Sequence, residues 1–269
     1  MRTGTTGRAL ALAATLAMGA PAANAVAQDR DFEWSGPMRP GQELIVRGIS
    51  GDVSARLANG AEARVEARKT GRSSHFDRVE VRVFEERDAV VFCVVYDGRR
   101  IDSDCRSRDD DHDGNEVRAG VDFTVWVPEG VDFSGHTVSG DVRATGLRSD
   151  VDAATVSGSV EVSTTGVARG STVSGDVDVE MGSLDWRSLD FSTVSGDITV
   201  TVPDGVDAQI DFESLSGDFE SDFDLRITRQ RDRIASHRVE ATIGDGSRSL
   251  SFSTVSGDVE LRRGRSAVR

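Results

Sequence analysis

An acidic run near the middle of the chain contains the side chains best suited to binding a metal ion. Asp109, Asp111 and Asp113 alternate along the chain and are followed by Gly114. This order matches the opening of a calcium loop, where alternate carboxylates converge on one hard cation and the glycine makes the bend. The twelfth position would be Gly120, which cannot supply the closing carboxylate. Two interpretations stay open: a calcium site at these three aspartates, or an acidic loop that is only solvated.

Histidine, cysteine and serine show no spacing that is typical of a zinc site or a serine hydrolase. The histidines are scattered, without H-x-x-x-H or H-E-x-x-H, and two cysteines are too few for a zinc cluster. G-x-S-x-G is absent, and an S-G-D triplet that recurs along the whole chain cannot be an active site at each occurrence. We therefore predict no catalytic residues and no cofactor. The histidines are His75, His112, His136 and His237.

A polysaccharide-active β-helix enzyme is the main catalytic alternative. Two carboxylates at a suitable separation are enough for glycoside hydrolysis. An acidic repeat protein brings carboxylates close together in any case, so their number does not distinguish an enzyme from a binding protein. Trp34, Trp126 and Trp186 could stack on sugar rings if they are exposed, and packing in or beside the core is the other interpretation.

Cys93 and Cys105 are the only cysteines in the chain. In an oxidising compartment an isolated pair predicts one disulfide. Closing so short a loop would stabilise the fold by about 3 kcal/mol. A reactive thiol is the alternative, but no nearby base in the sequence supports it.

A repeated hexapeptide predicts the architecture that positions these residues. T-V-S-G-D-V occurs whole at 137–142, 172–177 and 254–259, and close variants occur at four other places. The central spacings between its glycines are 18, 17, 21 and 21 residues, and the last spacing, 40, corresponds to about two units. Such a period, with strand-like content, is typical of proteins in which each unit stacks on the next. The glycines predicted to form corners are Gly51, Gly140, Gly158, Gly175, Gly196, Gly217 and Gly257.

The order of residues within the hexapeptide predicts which side chains face the core. We expect both valines to point inward, the glycine to allow a corner between them, and Thr and Ser to face solvent. Equivalent aspartates of stacked coils would lie about 4.8 Å apart. They must therefore be solvated, neutralised by cations, or bonded to turn amides, and we prefer bonding to the local backbone. These aspartates are Asp52, Asp141, Asp176, Asp197, Asp218 and Asp258, with Ser159 at the remaining position.

Most other segments alternate apolar and polar residues, and no window shows a convincing helical period. Examples are 63–68, 79–83 and 121–127. We predict an all-β fold: a single-stranded β-solenoid, or β-helix-like stack, with repeats of about 17–21 residues. Residues 28–262 would form one elongated domain. Its less regular part, 28–126, carries the disulfide loop, 127–262 carries the T-V-S-G-D-V repeats, and 263–269 is a basic tail.

Residues 1–27 have the features of a signal peptide. Arg2 and Arg8 precede an apolar stretch at 9–20, and Ala25-Val26-Ala27 is a small-x-small cleavage site. No later segment is long enough to form a transmembrane helix. The net charge of −14 repels nucleic acid, which argues against a nucleic-acid-binding protein. We predict export to the periplasm, the cell surface or the extracellular space.

The repeats resemble the bacterial putative-adhesin family of unknown function, whose domains are also described as toast-rack-like. The resemblance rests on the T-V-S-G-D-V repeats, on V-P-E-G-V-D at 127–132 and on the segment 243–261. It is strongest over 121–261 and weaker over 32–96, while the polar segment 97–117 departs from the family pattern. The resemblance implies an envelope-associated stack of β-strands, and it brings no catalytic residues.

These observations together predict a non-catalytic, adhesin-like binding or scaffolding module of the cell envelope. Rows of Ser, Thr and Asp would make many weak contacts whose sum is useful. The expected partner is an envelope polysaccharide or a surface protein. The glycan-active enzyme and a calcium-stabilised structural protein are the alternatives.

Overall fold

The computed structural model describes residues 31–106, 117–233 and 236–264. Most of these residues form β-strands, and the described ranges contain one 3-10 helix at Ser73–Arg78. The strands are β1 (Asp31–Pro37), β2 (Glu43–Arg47), β3 (Val53–Leu57), β4 (Glu62–Gly71), β5 (Val79–Glu85), β6 (Ala89–Tyr96), β7 (Ala119–Val127), β8 (Asp132–His136), β9 (Val142–Leu147), β10 (Val151–Ala154), β11 (Val160–Thr164), β12 (Ala168–Ser171), β13 (Val177–Met181), β14 (Ser188–Ser192), β15 (Ile198–Pro203), β16 (Ala208–Ser214), β17 (Phe219–Ser221), β18 (Arg226–Arg233), β19 (Ser236–Ile243), β20 (Arg248–Ser253) and β21 (Val259–Gly264).

The strands form two open sheets. The first sheet has the order β1-β4-β7-β3-β9-β11-β13-β15-β21-β17, and the second has the order β18-β19-β16-β20-β14-β12-β10-β8-β2-β6-β5. From β8 to β15 the chain alternates between the two sheets, and each strand pairs in parallel with the equivalent strand of the next coil. The corners of neighbouring coils pair as well: Ser139, Ser157 and Ser174 form parallel bridges with one another in this order. In this part of the chain successive units stack directly on one another.

The stacking order departs from the chain order at both ends. The last coil, β20 and β21, lies between the coil of β14 and β15 and the coil of β16 and β17. The first coil, β2 and β3, likewise lies between β6–β7 and β8–β9. The expectation that each unit stacks on the next in sequence is therefore wrong at the ends. The long spacing before Gly257 is also not two stacked units, because it contains β18 and β19, which continue the second sheet in antiparallel pairing from β16.

The core lies between the two sheets, and strict alternation builds it. In β13, Val177, Val179 and Met181 are buried, whereas Asp178 and Glu180 are exposed. Each fully buried side chain of this size contributes about 1.5–3 kcal/mol. Continuous burial over many coils therefore holds the sheets together and leaves the corners to carry the surface features.

Within the hexapeptide, the threonine and the first valine are reversed relative to the prediction. Thr155 and Thr172 are 5–6% exposed, whereas Val156 and Val173 are each 43% exposed. The threonine hydroxyl donates to the glycine carbonyl of the adjacent coil, from Thr172 Oγ1 to the oxygen of Gly158 at 2.9 Å. Because this bond satisfies the hydroxyl inside the fold, threonine can take the inward position that strand alternation gives it. The second valine is buried, as predicted.

All seven corner glycines have positive φ, from +122° to +156°. At Gly175 an added Cβ would lie only 2.1 Å from the carbonyl oxygen of Gly158 in the adjacent coil. The corner therefore needs glycine for two reasons: the backbone conformation and the close approach of the neighbouring chain.

Candidate functional site

The corner aspartates form a ladder of hydrogen bonds between coils. Asp52 Oδ1 accepts from the backbone N–H of Asp141 at 2.9 Å, and Asp141 Oδ1 accepts from the N–H of Ser159 at 2.9 Å. Ser159 continues the ladder, since its Oγ accepts from the N–H of Asp176 at 3.3 Å. The hydrogen bond from Ser159 is the main reason why the pKa of Asp141 lies below its usual value. The aspartates thus bond to the neighbouring coil, whereas we had expected a bond within their own turn.

Beside this ladder runs a row of exposed aliphatic side chains, one from each corner. Each is 41–51% exposed, whereas nearly all other large aliphatic side chains of the repeats are buried. Stacked strands are about 4.8 Å apart, so seven members span about 29 Å. The serine that follows each of them is also exposed. We call this row the corner ridge, and its members, in stacking order, are Ile49, Val138, Val156, Val173, Val194, Val255 and Leu215.

The corner ridge ends where an insertion replaces the next S-G-D corner. Between β6 and β7 the chain makes a long excursion, and the predicted disulfide between Cys93 and Cys105 joins it to β6, with the two Cα atoms 5.5 Å apart. Ile49, the first member of the ridge, lines two cavities beside this insertion, of about 340 and 230 Å³. The surface therefore changes from a convex row to a concave site at this end.

A polar cluster on the outer face of the second sheet contains serine, histidine and aspartate. Ser134 Oγ lies 3.0 Å from His136 Nε2, and Asp152 Oδ1 lies 3.7 Å from the same nitrogen. A nucleophilic triad needs the serine and the aspartate on opposite ring nitrogens. Ser134 is also only 7% exposed. Burial lowers the pKa of His136, and burial followed by the nearby Asp132 raises the pKa of Glu43. This geometry does not match that of a serine hydrolase.

The tryptophans do not present open ring faces. Two guanidinium groups lie over the ring of Trp126, with Cζ of Arg56 at 4.4 Å and Cζ of Arg64 at 5.2 Å from its centroid. They come from β3 and β4, the strands on either side of β7. Trp186 is 6% exposed, and Trp34 is half-buried beside the core. Packing, rather than sugar stacking, is what this arrangement supports.

The predicted calcium ligands Asp109, Asp111 and Asp113 lie outside the described residues, so the calcium site stays a prediction. In the parts of the chain that the structure describes, no group of three or more His, Cys, Asp or Glu residues is arranged to hold a metal ion. Sequence reasoning missed the exposure of the ridge valines. The sequence contains a signal for this exposure. Phe133, Gly135 and Thr137 occupy alternate positions and are all buried, so the next residue, Val138, faces solvent.

A family model, described as Toastrack DUF4097, matches residues 41–262. The chain belongs to the Toastrack DUF4097 family. This match confirms the family resemblance seen in the sequence. No match was found among curated proteins. Within the described ranges, the Toastrack chain has no helix of the length and apolar character that crossing a bilayer requires.

Three solved structures are similar to the Toastrack chain at low sequence identity. One, a "putative cell adhesion protein" from Clostridium sporogenes, has a TM-score of 0.43 and 10% identity, over 87% of this chain and 100% of its own. A "putative adhesin" from Bacteroides fragilis has a TM-score of 0.37 and 11% identity, over 86% and 97%. A "putative adhesin" from Parabacteroides merdae has a TM-score of 0.22 and 8% identity, over 87% and 97%.

Proposed function

We propose that this Toastrack protein is a non-catalytic, exported module of the cell envelope that binds an extended partner along the corner ridge. The observation that carries the proposal is the row of seven exposed aliphatic residues in register, one from each coil. An exposed apolar row of this length, bordered by polar residues, is a feature of interaction surfaces. In this proposal residues 1–27 are removed on export, 28–262 form one β-solenoid-like domain, and 263–269 form a basic tail.

Most coils offer the partner the same three groups. An aliphatic side chain, valine in five coils, lies next to a serine hydroxyl, and the carboxylate of the aspartate ladder follows after the glycine, except where Ser159 replaces it. The threonines do not take part, because they are buried, and four of their hydroxyls donate to glycine carbonyls inside the fold. The contact rows are therefore Val, Ser and Asp, and not the Ser, Thr and Asp rows that the sequence had indicated.

An envelope polysaccharide fits these rows. Sugar rings present apolar C–H faces to aliphatic side chains and hydroxyl groups to serine and aspartate. A polymer that repeats this chemistry can contact several coils at once, and each contact can be weak because the sum gives the affinity. Surface proteins with an extended segment of the same chemistry are the second kind of partner in this proposal.

The test is a retention experiment in which binding and cleavage are scored together. Purified protein is incubated with peptidoglycan and a panel of envelope polysaccharides, and both bound protein and new reducing sugar ends are measured. We expect retention on at least one polymer without release of sugar ends. Release of sugar ends would instead support a glycan-active enzyme. Repeating the assay with calcium and with a chelator tests whether the predicted site at 109–113 contributes.

A ridge variant tests which surface is used. Val156, Val173 and Val194 are replaced together by serine, and the control is Ile227→Ser, which changes an exposed aliphatic residue on β18, away from the ridge. We expect at least a tenfold loss of retention for the ridge variant and no change for the control. Equal retention by both, with unchanged melting temperatures, would show that the ridge is not the binding surface.

A further inference from the structure

Arg47 is a half-buried cation that has no carboxylate partner among the described residues. Its Nη1 donates to the backbone carbonyl of Asp104 at 2.9 Å, and its Nε is buried without a hydrogen-bond partner. Other arginines of this acidic chain pair with carboxylates, as Arg143 does with Asp141 at 2.7 Å. Leaving a buried part of a guanidinium group unbonded is costly. Its Nη2 is not among the buried atoms and makes no hydrogen bond to the described residues, so this nitrogen can receive an anion that is not part of the described chain.

The guanidinium lines a cavity of about 230 Å³ at the end of the corner ridge. His136, Thr137 and Asp104 are among the other residues around this space. The side chain of Asp104 is 63% exposed, and its carboxylate lies 3.9 Å from Arg106 and forms no ion pair with Arg47. The cavity thus has a cationic side that its own acidic neighbour does not neutralise.

A second cavity, of about 340 Å³, adjoins the first. Its walls are mainly apolar and include Val95, Tyr96, Ile101 and Val117. The phenol of Tyr96 is already bonded, since its Oη donates to the backbone carbonyl of Ala119 at 3.1 Å. The volume is within the usual range of small-molecule sites, which are mostly apolar with a few placed polar groups.

The two cavities share three lining residues, so they lie side by side and together offer one ligand an apolar part and a cationic part. The shared residues are Ile49, Val94 and Cys105. The disulfide to Cys93 on β6 holds Cys105 in this shared wall. The insertion that ends the corner ridge therefore also builds the site.

We propose that this site binds an anionic amphiphile, with an alkyl or aryl group in the larger cavity and a carboxylate or phosphate group on Arg47. Charge complementarity selects the anionic head, because Arg47 offers unpaired donors in a fork that suits such groups. The apolar walls select the chain. This site borders the ridge at Ile49, but its ligand differs from the polymer proposed for the ridge.

The test uses isothermal titration calorimetry on the purified protein with three probes. Octanoate carries both groups, octyl glucoside carries the same chain without charge, and acetate carries the carboxylate without the chain. We expect octanoate to bind at least tenfold more tightly than either of the other two. Octyl phosphate and inorganic phosphate make the same comparison for the other head group. Absence of octanoate binding, or equal binding of octanoate and octyl glucoside, would overturn the proposal.

Two variants locate the site. Arg47→Gln should raise the Kd for octanoate at least tenfold, whereas Arg169→Gln, on the exposed outer face of β12, should leave it unchanged. Ile101→Asp places a carboxylate in the apolar wall and should also raise the Kd at least tenfold, so the test does not depend on how Arg47→Gln folds. Wild-type affinity in both variants would refute the site. None of these outcomes changes polymer retention by the ridge variant, so the two proposals can fail separately.

Discussion

Replacing Gly175 with alanine is expected to destabilise the fold strongly, because the change affects two coils at once. An added Cβ would lie 2.1 Å from the oxygen and 2.6 Å from the carbon of the Gly158 carbonyl. Both are backbone atoms of the adjacent coil, so no side-chain rotation can relieve the contact. The coils must move apart, or Gly175 must leave its φ of +139°.

The magnitude follows from the contacts at this corner. Holding alanine at such a φ costs about 1–3 kcal/mol. Separating the coils weakens the bond from the N–H of Gly158 to the oxygen of Ser174 at 3.0 Å and the bond from Thr172 Oγ1 to the oxygen of Gly158 at 2.9 Å. Each bond contributes about 1 kcal/mol. We therefore expect a loss of about 3–5 kcal/mol in the free energy of unfolding, a large share of the total for a typical domain.

Urea unfolding followed by circular dichroism measures this loss, and Gly146→Ala is the matched control. Gly146 also has positive φ, +67°, but nothing lies within 4 Å of an added Cβ. The control should lose only about 1 kcal/mol, the cost of the backbone conformation alone. If both variants lose the same amount, close packing between coils does not explain the corner glycines, and the reasoning above is wrong.

Three further predictions concern the interior hydroxyl of Thr172, the disulfide and the half-buried His136. Thr172→Val should lower the unfolding free energy by about 1 kcal/mol, because it removes the hydrogen bond to the Gly158 carbonyl. Urea unfolding of the variant and of wild type measures this loss, and an unchanged midpoint would contradict it. Reducing the disulfide between Cys93 and Cys105 should lower the unfolding free energy by about 3 kcal/mol. Unfolding curves with and without reductant measure this change, and coincident curves would contradict it. The folded pKa of His136 is lowered by burial, so the unfolded chain binds more protons, and stability should fall as pH drops below about 6.5. Melting temperatures at pH 7.5 and 5.5 should differ less in His136→Asn than in wild type, and an equal difference would count against this account.

The strands and the corners could be predicted from the sequence because they rest on local patterns. Alternation at Val177, Val179 and Met181 gives one face of the core directly. The pairing of Cys93 with Cys105 needed only their number and the expected compartment. These features can be recognised in the sequence because each depends on residues that are close in the chain.

The order of the coils and the candidate sites could not be predicted in the same way. The S-G-D corners are nearly identical in sequence. The residues around Ser195 therefore do not indicate that this serine forms a bridge with Ser256 and not with Ser216, the next corner in the chain. Alternation from Phe133 points to an outward Val138, but it also requires a buried Thr137, and only the structure shows that this hydroxyl is satisfied by another coil. The lack of a carboxylate for Arg47 depends on how the insertion folds over the sheet, and a sequence pattern does not contain this information.

The insertion of the last coil into the stack has a mechanical consequence. The strands β20 and β21 each pair with a strand on both sides, whereas β1, the first strand, lies at the outer edge of the first sheet and pairs only with β4. A pull on the C-terminal strand therefore does not peel away an outer layer. It loads strands that are hydrogen-bonded along both edges, so two ladders must open where a sequential stack would open one. A pull from the N-terminal side meets only the single ladder between β1 and β4 first, so the two sides of the chain should resist extension unequally.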